Sequence, residues 1–194
     1  MKMEIYLVRH GKTKGNEEHR YVGRTDEALS EAGIRELEKK MRKDFQAQLV
    51  YSSPMLRCRQ TANLLFPGVP AVTEEELRET DFGIFEYKNY EELKNNVFYQ
   101  KWIDEMGEGQ IPQGESGPEF RNRSKEGFLR CLRHAEQNGL ERIAFVVHGG
   151  TIMTVMDQFA GDGCHMYDWQ VENGGGYYAG WDPDKVRLEH VKRL

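Results

Sequence analysis

The segment Met3-Glu4-Ile5-Tyr6-Leu7-Val8-Arg9-His10-Gly11-Lys12-Thr13 begins apolar and ends in reactive polar residues. Ile5, Leu7 and Val8 form a short run of mostly strand-favouring side chains, and Arg9-His10-Gly11 stops it abruptly. This pattern predicts a buried strand that delivers polar groups to its carboxyl edge, where open α/β sheets place their ligands. An imidazole beside a guanidinium, with a glycine letting the backbone turn close by, suits attack on a phosphate. Gly11-Lys12-Thr13 superficially matches the end of a nucleotide P-loop. That loop also needs a glycine where Tyr6 stands, inside the strand, so the P-loop reading fails.

Working outward, the run Arg142-Ile143-Ala144-Phe145-Val146-Val147 repeats the pattern and ends in His148-Gly149-Gly150-Thr151. Ile152, Val155, Met156 and Phe159 then follow at helical spacing. Leu49-Val50-Tyr51 predicts another short strand. Ser53 is expected to cap the helix after it, with Pro54 at the first turn and Arg57 near the positive end of the dipole. Alternating strands and helices that bring His10, His148, Arg9 and Arg57 to sheet edges predict a three-layer α/β/α sandwich around a mostly parallel central sheet, with one convergent polar pocket. Two arginine forks and two imidazoles in one pocket favour a bound phosphoryl group.

Elsewhere, residues 20–29 lack periodicity and read as a loop over the sheet edge. Ser30 caps a predicted helix with the stripe Ile34, Leu37, Met41 and Phe45. A turn over Phe66–Pro70 precedes a strand at Ala71–Thr73, and residues 74–79 are strongly acidic. Residues 88–106 hold a patchy helical pattern around Tyr90, Leu93, Phe98 and Trp102, within a helical insertion of about 84–116 expected to cover the site. A long helix is expected over 118–138, carrying Phe120, Phe128, Leu129 and Leu132. Gly174-Gly175-Gly176 reads as a hairpin turn before Tyr177-Tyr178, and the last strand as Val186–Val191.

Composition bounds the rest. With 194 residues, 38% hydrophobic and 30% charged, the chain fits one globular domain spanning 1–194. No run approaches the roughly 18–20 apolar residues of a membrane span, and the N-terminus lacks a signal-peptide pattern. A net charge of −5 argues against a general nucleic-acid binder, while a local Arg and His cluster can still hold a small anion. Cys58, Cys131 and Cys164 show no CxxC spacing and read as reduced thiols in a cytoplasmic protein.

Taken together, the motifs resemble those of the histidine phosphatase, or phosphoglycerate mutase-like, superfamily. The matching residues are Leu7-Val8-Arg9-His10-Gly11-Lys12-Thr13 with Asn16, Ser53-Pro54 with Arg57 and Thr61-Ala62, Leu77-Arg78-Glu79 with Phe82-Gly83, and His148-Gly149-Gly150, in the family's order. The resemblance implies that His10 is the nucleophile and that Arg9, Arg57 and His148 bind the phosphoryl oxygens. It also implies that Glu79 protonates the leaving oxygen and then activates water, with Asp81 or Glu86 as substitutes. Gly11, Asn16, Gly23, Arg24 and Gly149 would complete the phosphate and substrate contacts.

A chain this short, with Tyr21-Val22-Gly23-Arg24-Thr25-Asp26 after the first motif, looks most like small phosphatases of the α-ribazole phosphatase type. Lys12 stands where the family often has an acid, Val22 where a polar side chain is common, and Tyr87-Lys88 where a glycine is usual after Glu86. The expected activity is a phosphomonoesterase needing neither metal nor cofactor. The alternatives are mutase-type phosphoryl transfer, or a phosphate-binding regulatory module without turnover. The expected partner is a small phosphomonoester, with no nucleic acid and no membrane, and the chain acts as a monomer or homodimer.

Overall fold

Alternate residues of the first strand, β1 (Met3–Arg9), serve two different cores in the computed structural model, which describes residues 3–40, 46–161 and 163–194. Ile5 and Leu7 join Ile143, Phe145 and Val147 of β4 (Arg142–Val147) under helices α6 (Gly117–Gln137) and α7 (Gly149–Phe159). Tyr6 and Val8, with Ala144 and Val146, face the opposite way onto α2 (Glu31–Lys40), which follows the single turn α1 (Lys14–Glu17), and onto α3 (Leu56–Leu65). Successive strand side chains point to opposite faces, so a strand apolar at every position needs helices on both sides. Each large apolar side chain so buried contributes roughly 1.5–3 kcal/mol, and the three-layer sandwich follows.

The sheet has six strands in the order β3-β2-β4-β1-β5-β6, with β2 at Leu49–Ser52, β3 at Ala71–Thr73, β5 at Gly176–Asp182 and β6 at Arg187–Arg193. The pairings among β3, β2, β4 and β1 are parallel, and β5 and β6 join antiparallel. Register decides where the polar residues meet. Arg9 pairs with Val147 and Ser52 with Val146, so three neighbouring parallel strands end level with one another. His10, His148 and Ser53 are the first residues past those ends, and the His10 N–H still donates to the Val147 carbonyl at 3.0 Å.

Several local expectations are corrected. The N-cap position of α3 is Met55, without a side-chain cap, and Pro54 lies before the helix. The cap arrives from elsewhere: the Leu56 N–H donates to Asp26 Oδ1 at 2.6 Å. Ser30 does cap α2 through the Gly33 N–H, whereas Met41 and Phe45 of the expected stripe fall outside the described residues. The 88–106 pattern resolves into two short helices, α4 (Tyr90–Leu93) and α5 (Val97–Asp104). Tyr90 and Phe98 are exposed, and Tyr99 takes the buried place beside Phe85, Leu93 and Ile111. Helix α6 begins one residue earlier than expected, behind a capping box of Ser116 and Glu119.

Gly174–Gly176 is not a hairpin turn, because the element directly before it among the described residues is the single-turn helix Met166–Trp169. A Cβ on Gly176 would lie 1.9 Å from the Leu7 carbonyl oxygen, so only glycine lets this backbone approach β1. The segment then braces the polar end of β1: the Arg9 N–H donates to the Gly175 carbonyl at 2.8 Å, and the Gly174 N–H to the carbonyls of Arg9 and His10. Val186 sits in the turn before β6, which runs on to Arg193.

Candidate active site

His10 is almost wholly buried, and its Nδ1 lies 2.7 Å from the Gly11 carbonyl oxygen. A carbonyl can only accept, so Nδ1 carries the ring proton and the Nε2 lone pair is left for chemistry. Burial first, and then the nearby Arg57 and Arg9 charges, push the His10 pKa well below its ordinary 6.5. The ring is therefore neutral at neutral pH, as a nucleophile requires. His148 meets it edge to face, and its own pKa is lowered in the same way by burial, Arg57, His10 and Arg9. His148 Nε2 is 2.8 Å from Ser53 Oγ, which also accepts from the Met55 N–H two residues on, just ahead of α3.

Arg57 is fully buried on the first turn of α3. Its guanidinium donates to the carbonyls of Val22, Gly23 and Thr25 at 3.0 to 3.1 Å. Arg9 donates from Nη1 to the Val171 carbonyl at 2.7 Å. The Nε–H groups of both arginines are buried with no partner among the described residues. Unpaired buried donors cost free energy, and each of these two can pair with an acceptor oxygen brought to it, while both arginine charges are felt by His10.

Glu79 follows a single-turn helix at Glu75–Leu77, and its Oε2 is 3.8 Å from His148 Nδ1. That distance is too long for a hydrogen bond. Burial raises its pKa above the ordinary 4.5, opposed by the Thr80 N–H and by the charges of Arg57, Arg9 and Arg123. The other two acids are engaged elsewhere. Glu86 accepts from the Gly23 and Thr25 N–H groups and from Thr25 Oγ1, and so fixes the 22–25 loop. Asp81 accepts from the Gly83 N–H and stands 3.8 Å from exposed Arg24. Of the three, Glu79 is the acid that faces a histidine.

Gly149 and Gly150 open helix α7 directly at the site, with His148 at its N-cap position. A Cβ on Gly150 would lie 3.0 Å from the Phe120 ring and 3.3 Å from Glu79 Oε1, whereas one on Gly149 would meet Arg9 only at 3.4 Å. The positive end of this eleven-residue helix thus stands beside Arg9 and Glu79. The remaining expected contacts are partly committed. The Gly11 N–H donates to Thr61 Oγ1, the Gly23 N–H to Glu86, and Asn16 Oδ1 accepts from the Thr13 N–H and from Asn173. Val22 is buried and contributes its carbonyl rather than a polar side chain. Among the described residues no three His, Cys, Asp or Glu side chains gather into a metal-holding set.

Residues 5–193 match the histidine phosphatase superfamily, branch 1. The chain belongs to the histidine phosphatase superfamily. It is 31% identical to "Probable phosphoglycerate mutase GpmB" of Proteus mirabilis over 76% of this chain and 70% of the relative. Its fold is similar to the crystal structure of an α-ribazole phosphatase from Shigella flexneri, with a TM-score of 0.82 at 24% identity over 96% of each chain. It is equally similar to a phosphoglycerate mutase from Bacillus anthracis, with a TM-score of 0.82 at 24% identity, covering all of this chain and 92% of that one.

In this member of the histidine phosphatase superfamily a cleft of about 220 Å³ opens beside Glu79 and Gly150. Its walls come largely from Tyr21, Phe82, Trp102, Phe120, Met153 and Met166. Several supports of the site were invisible in the sequence. The Val171 carbonyl holding Arg9 and the Asn173 amide on the His10 carbonyl lie far along the chain, where no local pattern marks them. Glu86 was legible only as a spare acid, since its three bonds to the 23–25 loop depend on long-range packing.

Proposed function

We propose that this protein is a metal-independent phosphomonoesterase working through a phosphohistidine. The observation that carries the reading is the pair of buried, unpartnered Nε–H groups of Arg9 and Arg57 beside a His10 whose Nδ1 proton is committed to Gly11. His10 Nε2 attacks phosphorus, the bond to the ester oxygen breaks, and that oxygen takes the proton of Glu79. The two guanidinium groups, His148 and the start of α7 hold the equatorial oxygens, where charge develops. Glu79, now ionised, removes a proton from water, whose oxygen displaces His10 from phosphorus. Inorganic phosphate, neutral His10 and protonated Glu79 result.

Burial supports Glu79 as donor, because it favours the protonated acid, and an arriving phosphate dianion adds to the effect. The test is turnover of a chromogenic aryl phosphate in excess chelator, together with rapid-quench labelling from a radioactive ester. Wild type should release phosphate and show labelled histidine, and His10→Ala should do neither. Equal rates in the two proteins would defeat the assignment. Tight vanadate binding without any labelled intermediate would instead favour a binding module.

The relative named as a phosphoglycerate mutase favours a second reading, in which the phosphohistidine returns its phosphoryl group to a glycerate rather than to water. That reading predicts primer-dependent exchange between the two phosphoglycerates in place of phosphate release.

A further inference from the structure

The cleft beside Glu79 and Gly150 has one cationic side chain among its lining residues, Arg121, against three carboxylates, Glu79, Glu108 and Glu115. That cation is already committed. Arg121 Nη1 donates to Glu108 Oε1 at 2.6 Å and Nη2 to Glu108 Oε2 at 2.5 Å, a two-pronged pair on the cleft wall. Glu108 is itself held by backbone, since its N–H donates to the Glu105 carbonyl and its carbonyl accepts from the Gly117 N–H. Glu115 is tied to Arg123, which also donates to the carbonyls of Glu76, Arg78 and Glu79 and does not line the cleft. Arg24, outside the lining as well, is mostly exposed and faces Asp81 at 3.8 Å.

We propose that Glu108 sets the class of leaving group: by occupying Arg121 it leaves the cleft without a spare cation, so the site accepts phosphomonoesters with an uncharged, flat leaving group and rejects those bearing a carboxylate. This deepens the phosphatase reading above and rests on it. A carboxylate in the cleft finds no arginine fork open to take it, because Arg121 and Arg123 are already paired with Glu108 and Glu115. An aromatic or heterocyclic alcohol meets the rings of Tyr21, Phe82, Trp102 and Phe120 instead.

The test is Glu108→Gln, which keeps the shape of the side chain while releasing Arg121. Wild type should hydrolyse an aryl phosphate and a nucleoside 5′-monophosphate at least ~10-fold better in kcat/KM than 3-phosphoglycerate or phosphoserine. Glu108→Gln should raise kcat/KM for the two carboxylate-bearing esters by about 10-fold and leave the aryl ester nearly unchanged, because a charge-assisted bond becomes available. Adding Arg121→Gln should abolish that gain, and thermal melting of each variant reports folding separately. An active wild type that prefers the carboxylate-bearing esters, or a preference unmoved in Glu108→Gln, would overturn this proposal alone. A wild type that turns over no ester and forms no phosphohistidine would overturn the phosphatase reading and this proposal with it.

Discussion

His10 and His148 meet with ring centroids 5.1 Å apart and planes inclined at 66°, because each is the first residue past the end of one of two neighbouring parallel strands. Both rings are buried, and both are held neutral by burial and by Arg57 and Arg9. A folded-state pKa below 6.5 means that the unfolded chain binds more protons than the folded one at mildly acidic pH. Stability from this pair is therefore fully present above about 6.5 and is lost as pH falls below it. Melting temperature should begin to drop below pH ~6.5, before ordinary carboxylates titrate. His148→Gln should flatten that part of the profile, and an unchanged slope in the variant would refute the assignment.

A tetrahedral or trigonal-bipyramidal oxyanion should stabilise the fold by pairing the Nε–H groups of Arg9 and Arg57. Vanadate at 100 times its dissociation constant should contribute about 2.7 kcal/mol, a rise of roughly 5–10 °C for a chain of this size. Arg9→Ala should cut the shift by more than half in differential scanning fluorimetry. An undiminished shift in that variant would place the anion elsewhere.

In the proposed reaction Arg57 has two tasks, and comparison with Arg9 separates them. Arg57→Lys keeps a positive charge but cannot reach the three carbonyls of Val22, Gly23 and Thr25 from one planar fork. Orphaned carbonyls cost about 1–3 kcal/mol each, so a fall in melting temperature of ~5 °C or more is expected. The rate should drop by about 10²–10³-fold through lost oxyanion stabilisation. Arg9→Lys, which gives up one carbonyl contact, should lose comparable rate with a smaller thermal penalty.

The sequence revealed what was local and missed what was distant. An apolar run stopped by Arg9-His10-Gly11 or by His148-Gly149-Gly150 shows both the strand and its reactive end, because strand, turn and chemistry share a few adjacent residues. The phase of the insertion was lost because α4 has four residues and α5 eight, separated by a break at Lys94–Asn96. A stripe counted across that break selects exposed Phe98 rather than buried Tyr99. Asp26 capping α3 and Glu86 bracing Gly23 and Thr25 need tertiary contacts that no spacing encodes.

Gly23 shows the same distinction between motif and cause. Its N–H is taken by Glu86, and a Cβ there would lie 2.1 Å from the Thr80 carbonyl oxygen, next to Glu79. Gly23→Ala should therefore act by pushing the 22–25 loop off the Glu79 segment. The expected result is a loss of about 1–3 kcal/mol in urea unfolding, with a lower kcat for alkyl esters. A variant with wild-type stability and a raised KM alone would instead make Gly23 a direct substrate contact.

The pH dependence of catalysis should be a bell set by two displaced groups. His10 must be neutral to attack, so kcat/KM falls as pH drops through its lowered pKa. Glu79 must be protonated to donate, so the rate falls as pH rises through its raised pKa. Both limbs should therefore be displaced from the free-group values, the acid limb lying below 6.5 and the alkaline limb above 4.5 for esters with poor leaving groups. Glu79→Gln should remove the alkaline limb and lower kcat for an alkyl phosphate by about 10²–10⁴-fold. A p-nitrophenyl ester needs little protonation of its leaving oxygen, so phosphorylation of His10 should be slowed far less in the same variant. Hydrolysis of the phosphohistidine would then limit turnover, and quenched samples should hold more labelled enzyme than wild type. Equal loss of His10 phosphorylation with both esters would assign the proton to another group.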